Sequence, residues 1–429
     1  MRNIFNIVSH PLFSGSLIMM TGSTFANAIN YLYHLSVGRW LGPSGYGELA
    51  TLISLIGLLG IIPASISLVV IRYVSASKTE ESKIALISWL RIKIFQLSFA
   101  IFIMILLIAP AISSFLHISN ISYVIAIAVA FLFSLPAFYN RSILQGLLKF
   151  KESTISVLME NSIRLVVSIL LIFLGFHVGG AMMGFVISAA VGWYIANRYL
   201  KTYFRKNPQT PPNIRSMISY SIPVIVQSIA LIALYSSDVI LVKHFFSSHD
   251  AGIYASLSTL GKIIFFGTGP IGAVMFPLVS QRYSEGNNYR KIFIYSFLAT
   301  FILSILILAI YWLLPAFAIN LLYGSAYLEA ANLLIWFGIF ITLFTFSSLL
   351  VSFHLSLGRT KVVLLPAIAS IAQIAAIWFY HGDLFTVIML SILVSALLLS
   401  LLLIYSVHNW NEKKITPSHK VNIDNSSII

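Results

Sequence analysis

Apolar runs follow one another along almost the whole chain, and short breaks between them hold nearly all of its charge. A helix rises 1.5 Å per residue, so about 20 apolar residues cross a hydrocarbon core of ~30 Å. Reading the runs between charged or turn-rich breaks predicts twelve spans. They cover 12–37, 44–71, 86–112, 121–147, 154–175, 178–199, 215–241, 252–281, 292–314, 327–355, 362–381 and 384–406. Two breaks, His177-Val178-Gly179 and His381-Gly382-Asp383, are brief and lie inside apolar runs of about 45 residues. Such a run is too long for one crossing, so each is divided in two.

The basic residues test this division. Alternate connections carry Arg72, Lys78 and Lys83; Arg141, Lys149 and Lys151; Arg198, Lys201, Arg205, Lys206 and Arg215; Arg282, Arg290 and Lys291; Arg359 and Lys361. Arg2, Lys413, Lys414 and Lys420 fall on the same side, while the opposite connections carry only Arg39 and Lys243. An error of one span would scramble the alternation, so both termini are expected to be cytoplasmic. Arg2 with Ala26-Asn27-Ala28 has the outline of a signal peptide. However, "SGSLIMMTGSTF" is a poor apolar h-region, and the segment is expected to stay as the first helix.

Composition agrees. Of 429 residues, 59% are hydrophobic and 9% charged, against about 25% charged in soluble domains. The expected class is an all-α polytopic membrane protein. A net charge of +14 would suggest nucleic acid in a soluble chain; here the cations sit where loops meet an anionic membrane face. Cysteine is absent, which removes disulfides and thiolate metal sites.

The chain also repeats itself. "VGRWLGPSGYGELATL" (37–52) and "VKHFFSSHDAGIYASLSTL" (242–260) place Tyr46, Leu49, Thr51 and Leu52 in register with Tyr254, Leu257, Thr259 and Leu260. "VIRYVSASK" resembles "VSQRYSEGN", pairing Arg72-Tyr73 with Arg282-Tyr283, and "LLKFK" (147–151) sits where "LGRTK" (357–361) sits. Two six-helix lobes are expected, 1–205 and 206–408, joined through the basic segment 201–215 and followed by a disordered cytoplasmic tail, 409–429. Six is even, so the repeats are parallel and related by an axis along the membrane normal. Such lobes enclose a central site and can rock against each other; the rival reading is a duplication retained for stability alone.

Polar residues inside the spans are the candidate chemistry. Ser16, Ser23, Asn27, Asn30 and His34 form one stripe on the first helix. Facing lipid would be costly, so the stripe lines a cavity or bonds a neighbouring helix. Tyr220, Gln227 and Asp238 share a face of the seventh span, and Asp238 aligns within a residue of His34 in the repeat. An intramembrane carboxylate is a functional candidate, unless it pairs with Lys243 near the outer interface. Glu160 and Arg164 are spaced i,i+4 and either neutralise each other or open onto a lumen. Lys262 lies deep in the eighth span with no acidic neighbour in sequence. A lone ammonium there costs roughly 2.5–3.5 kcal/mol, which predicts that it faces the central cavity. Arg72, Arg141 and Arg282 lie near the inner interface, where they anchor the helices or meet an anionic cargo. No H-E-x-x-H, G-x-G-x-x-G or Walker sequence occurs, which argues against an ATP-driven pump or a membrane glycosyltransferase.

At "GRWLGPSGYGELATL", "YSSDVILVKHFFSSHDAGIYASLSTLGK" and "NRSILQGLLKFK" the chain resembles the polysaccharide (O-antigen type) flippases of the multidrug/oligosaccharidyl-lipid/polysaccharide (MOP) exporter superfamily. With the hydropathy, the likeness covers nearly the whole chain. It implies twelve helices in two lobes, alternating access with cation coupling, and movement of an undecaprenyl-diphosphate-linked oligosaccharide across a bacterial plasma membrane. The glycan would be an O-antigen, capsule or exopolysaccharide unit. On that reading Lys262, with Arg72 or Arg39, holds the diphosphate, and Asn27, Asn30 and His34 meet sugars. Arg141, Arg164 and Arg282 are further cavity candidates, and Asp238 and Glu160 are candidates for ion coupling. Partners would be the lipid-linked oligosaccharide, membrane lipids and glycan polymerase or assembly proteins, with no nucleic acid, cofactor or metal. A drug exporter of the same superfamily would want acidic residues in its cavity, an outer-leaflet glycan polymerase or ligase a long outer loop, and a lipid II flippase fourteen spans.

Overall fold

The computed structural model describes residues 11–60, 67, 70–71, 73–75, 77, 79–204, 214–285 and 287–408, with backbone alone at 11–17, 20, 214–228 and 284. Among these residues the chain is helical, with no strand. Helices α1 and α2 occupy Pro11–Leu59 and separate at Gly42, whose φ of 67° and ψ of 176° no helix contains. That positive φ requires glycine, and Pro43 then opens α2 at a position whose N–H would have no helical partner.

The remaining helices are α3 (Glu80–Phe115), α4 (Ser122–Gly146), α5 (Phe150–Leu171), α6 (His177–Tyr199), α7 (Ile214–Phe245), α8 (Ser248–Ser284), α9 (Arg290–Leu313), α10 (Ala331–Ser356), α11 (Leu364–Phe379) and α12 (Leu384–His408). Their numbers match the twelve spans. Eight helical stretches among the described residues are long and apolar enough to cross a membrane, and one of them, Phe150–Tyr199, holds both α5 and α6. The face away from Pro11 and His408 is termed the outer face.

Local chemistry sets the ends. Thr79 caps α3 by accepting from the Ser82 N–H at 3.2 Å, and Glu80 and Glu81 lie against the positive end of its dipole. The two brief outer breaks are real. Between α5 and α6 the chain passes through a π turn, Ile172–Phe176, with Gly175 at φ 88°. Between α11 and α12, Asp383 accepts from the Thr386 N–H at 2.7 Å. Those Thr386 hydrogen bonds hold the Asp383 carboxyl below its ordinary range.

Helices α1–α6 build the first lobe and α7–α12 the second. One apolar core runs through the first lobe, from Tyr33 and Leu49 to Phe185 and Leu200. The second lobe has an outer core around Tyr254, Tyr327 and Phe337, and an inner core around Phe344, Phe353 and Leu398. Tyr46 and Ala50 belong to α2 yet pack into the outer core of the second lobe. The lobes are therefore joined at their outer ends.

That junction gives the repeated phrase a structural use. A Cβ on Gly47 would strike the Ser248 carbonyl and the Gly252 N–H, and one on Gly252 would strike the Pro43 carbonyl. The two outer turns thus lie backbone against backbone. Each also makes the same internal bond: Thr51 donates to the Gly47 carbonyl at 2.8 Å, and Thr259 to that of Ala255 at 3.1 Å.

Candidate functional site

Beneath the joined outer turns, α1, α2, α7 and α8 enclose a cavity of about 180 Å³ between the lobes. Asn30 and His34 line it from α1, and Tyr235, Ser258, Thr259 and Lys262 from the second lobe. The Lys262 ammonium lies 5.1 Å from the centroid of the Tyr235 ring, within cation–π range. Among the described residues it has no ion pair and no hydrogen bond. The Ser258 hydroxyl and the Tyr31 hydroxyl, both on residues of the same wall, are buried without a partner there. A fixed cation and unpaired polar groups in one apolar vestibule leave donors for a ligand that brings negative charge and acceptors.

The polar stripe of α1 divides. Ser23 bonds its own Met19 carbonyl at 2.6 Å, and Asn27 is exposed and absent from the cavity wall. The Ser16 side chain and those of Tyr220 and Gln227 lie outside the described residues. Asn30 serves both readings, since it lines the cavity and accepts from Arg164 Nη2 at 2.9 Å. His34 also lines it and bonds Tyr46 at 3.0 Å through Nδ1.

Tertiary packing assigns the charged candidates differently from local spacing. Glu160 does form an ion pair, but with Arg141 of α4 rather than Arg164, and Arg141 Nε donates to Ser156 at 3.0 Å. This corrects the i,i+4 pairing. A four-residue spacing makes that contact available, but α4 brings a second guanidinium to the same carboxylate. Arg164 turns instead to Asn30 and Asn161 and stacks on Phe185 at 4.8 Å. Removing one partner of a largely buried pair leaves the other charge uncompensated. Glu160→Gln is therefore expected to cost up to about 3 kcal/mol, read as a lowered Tm in detergent. An unchanged Tm would show that the pair carries no stability.

Asp238 is fully buried behind the cavity wall and accepts from the Tyr254 hydroxyl at 2.9 Å, while its Oδ1 has no partner among the described residues. It acts electrostatically on Lys262 without forming an ion pair. Its other possible partner, Lys243, is buried and donates to Ser248 Oγ at 2.6 Å and the His117 carbonyl at 3.3 Å. Arg282 is exposed in the last turn of α8. Arg72 lies outside the described residues.

Arg39 is not a cavity residue. Its guanidinium reaches from the first lobe to the carbonyls of Asn320 and Leu321, at 3.0 and 2.9 Å, in the last turn of the short helix Pro315–Leu322. It closes the outer side together with Tyr327, which donates to the Gly38 carbonyl at 2.7 Å. Sequence reasoning missed two members of this closure and a buried carboxylate within the first lobe. Tyr323 and Tyr327 carry no signal apart from being aromatic. Glu48, buried on α2, accepts from the Ser119 N–H at 2.5 Å and its hydroxyl at 3.1 Å, and was legible only as an acidic residue in an apolar run.

Comparisons with known proteins agree with this architecture. A family profile described as polysaccharide biosynthesis protein matches residues 12–283. An uncharacterised membrane protein of Methanocaldococcus jannaschii is 24% identical over 285 residues, which are 62% of this chain and 67% of that one. The inward-facing structure of a multidrug resistance MATE family transporter of the MOP superfamily aligns with a TM-score of 0.74 at 14% identity, over 89% of this chain and 96% of that one. The lipid II flippase MurJ, in an inward closed conformation, aligns with a TM-score of 0.74 at 14% identity, over 91% and 87%. At such identities the likeness establishes the fold: twelve helices in two lobes.

Proposed function

The chain belongs to the polysaccharide biosynthesis protein family, and from that premise we propose that it is a flippase for a polyprenyl-diphosphate-linked oligosaccharide. It moves this cargo from the inner to the outer leaflet by alternating access of its two lobes. One observation carries the reading: Lys262 stands on the cavity wall with no ion pair or hydrogen bond among the described residues, Asp238 acting on it only at a distance. Its ammonium suits the diphosphate. A sugar chain loses many hydrogen bonds on leaving water, and each hydroxyl buried unpaired is costly. The amide of Asn30, the imidazole of His34 and the hydroxyls of Tyr31, Ser258 and Thr259 offer replacements. The polyprenyl tail can remain in lipid.

The drug-exporter reading fares worse. A cationic drug would meet Lys262, while Asp238 is turned to Tyr254 and Glu160 to Arg141. Asp238 is better suited to coupling, since its unpartnered Oδ1 leaves room for a proton or cation. The same proposal sets the chain in a bacterial plasma membrane with cytoplasmic termini, as its basic connections suggest, beside the polymerase that would consume the flipped glycan.

The test is transport by purified protein in liposomes, using a fluorescent polyprenyl-diphosphate oligosaccharide and a quencher confined to one side. The wild type is expected to expose the probe faster than empty liposomes. Asp238→Asn is expected to lose acceleration by an imposed proton or sodium gradient while keeping gradient-free exchange. No acceleration over empty liposomes, under several gradients and glycans, would overturn the reading.

A further inference from the structure

We propose that the Tyr46 hydroxyl couples occupancy of the central cavity to release of the outer closure, with His34 as the receptor for a sugar hydroxyl of the cargo. The inference rests on the cargo reading above and adds to it a named contact and its consequence.

Tyr46 is fully buried on α2, between the cavity and the outer surface. Its hydroxyl has three partners: Thr259 Oγ1 at 2.9 Å, Tyr323 OH at 3.0 Å and His34 Nδ1 at 3.0 Å. A phenol has one proton to donate and two lone pairs, so it can satisfy all three contacts, donating in one and accepting in two. Thr259 gives its proton to the Ala255 carbonyl at 3.1 Å. With the Thr259 proton assigned there from the network, Tyr46 donates to Thr259, and both Tyr323 and His34 donate to Tyr46. His34 consequently carries a proton on Nδ1, and its Nε2 is an acceptor with no partner among the described residues, on a ring that lines the cavity. An ionised phosphate has no proton to offer that nitrogen, whereas a sugar hydroxyl does. The cavity thus divides its labour, with Lys262 for the anion and His34 for the glycan.

The other side of the hub is the closure. Tyr46 packs on Tyr323 with ring centroids 5.4 Å apart, and Tyr323 on Tyr327 at 5.1 Å. Tyr327 holds the Gly38 carbonyl, and Arg39 donates to the Asn320 and Leu321 carbonyls at the end of the short helix Pro315–Leu322, the first of which also accepts from the Gly324 N–H. The Tyr327 and Arg39 bonds each cross between the lobes. A glycan that draws His34 or Thr259 toward itself removes a partner from Tyr46. Linked hydroxyls polarise one another, so losing one member weakens the next, and Tyr323 is the next. Cargo then binds better to the form in which the closure has let go, which is the condition for a ligand to shift the equilibrium.

The absence of cysteine makes the test direct. A single cysteine is placed on the cavity wall by Ser54→Cys. Its reaction with a membrane-impermeant maleimide, added on the outer-loop side of sealed vesicles, is timed with and without a polyprenyl-diphosphate trisaccharide. The parent is expected to label slowly, and faster with the probe. Tyr46→Phe keeps the ring but removes the hub, and is expected to label about 10-fold faster without probe and to ignore it. Arg39→Ala is expected to label faster while keeping the probe's fold-change, because it loosens the closure and spares the hub.

Parental behaviour in Tyr46→Phe overturns the proposal. So does a Tyr46→Phe variant that labels faster yet keeps the full probe response, since the hydroxyl would then be a latch without coupling. If the parent does not flip the probe at all, the cargo reading falls. The probe-free comparison of Tyr46→Phe with its parent then decides whether the hydroxyl holds the closure.

Discussion

Lys262→Ala is expected to lower transport of the lipid-linked glycan about 10- to 100-fold, with the folded protein retained. Hydrogen bonds to a charged group contribute about 1.5–3 kcal/mol, and each 1.4 kcal/mol is tenfold. The Lys262 ammonium has no ion pair and no hydrogen bond among the described residues to compete for the diphosphate, only the Tyr235 ring and the distant Asp238, so the cargo would lose most of that interaction. Folding is expected to change little, because removing a cation without an ion pair from an apolar span relieves a cost while the buried Asp238 loses its distant electrostatic partner. Lys262→Arg keeps the charge and is expected to retain a large part of the activity. Proteoliposome transport, with Tm measured on the same preparations, separates the two effects. Normal transport by the alanine variant together with failure of the arginine variant would show that shape, not charge, matters at this position.

Gly252→Ala is the second large effect, and it acts through the closure. The new Cβ would overlap the Pro43 carbonyl, a backbone atom that no side-chain rotation can move away. The outer turns must then separate. Overpacking of this kind costs about 1–3 kcal/mol, here charged against the outer-closed state alone. Labelling of a cavity cysteine from the outer side is expected to rise roughly tenfold or more, with cargo transport impaired. Gly57→Ala is the control. It lies on the same cavity wall, but its Cβ would meet nothing within 4 Å, and alanine suits a helix better than glycine by about 0.5–1 kcal/mol. Equal effects from both substitutions would rule out the backbone contact as the cause.

Much of this molecule is legible in its amino-acid order. The twelve spans follow from run length against bilayer thickness, and even the brief break at His381-Gly382-Asp383 separates two helices, with Asp383 as the cap. The repeat is legible because its phrase is local, whereas its purpose is not: the two copies meet, and neither segment alone carries that information. Lys262 stands out because an ammonium so deep in an apolar run cannot face lipid. The polar stripe of α1 misleads in part. Helical spacing puts Ser23, Asn27, Asn30 and His34 on one side, yet the helix climbs past different neighbours along its length, and only its outer portion borders the cavity.

By itself, then, the sequence determined the class, the number of spans, their alternation and the duplication. Each of these depends on composition within some twenty residues and on the thickness of the bilayer. Tertiary structure alone decided which charges are free. Glu160 has Arg164 one turn away and Arg141 on another helix, and only the packing of α4 on α5 selects between them. It also decided where the molecule closes. The bonds from Arg39 to Asn320, from Tyr46 to Tyr323 and from Tyr327 to Gly38 join residues 281, 277 and 289 positions apart. No periodicity reaches that far, because such contacts are set by how the two lobes meet across an axis that local chemistry does not encode.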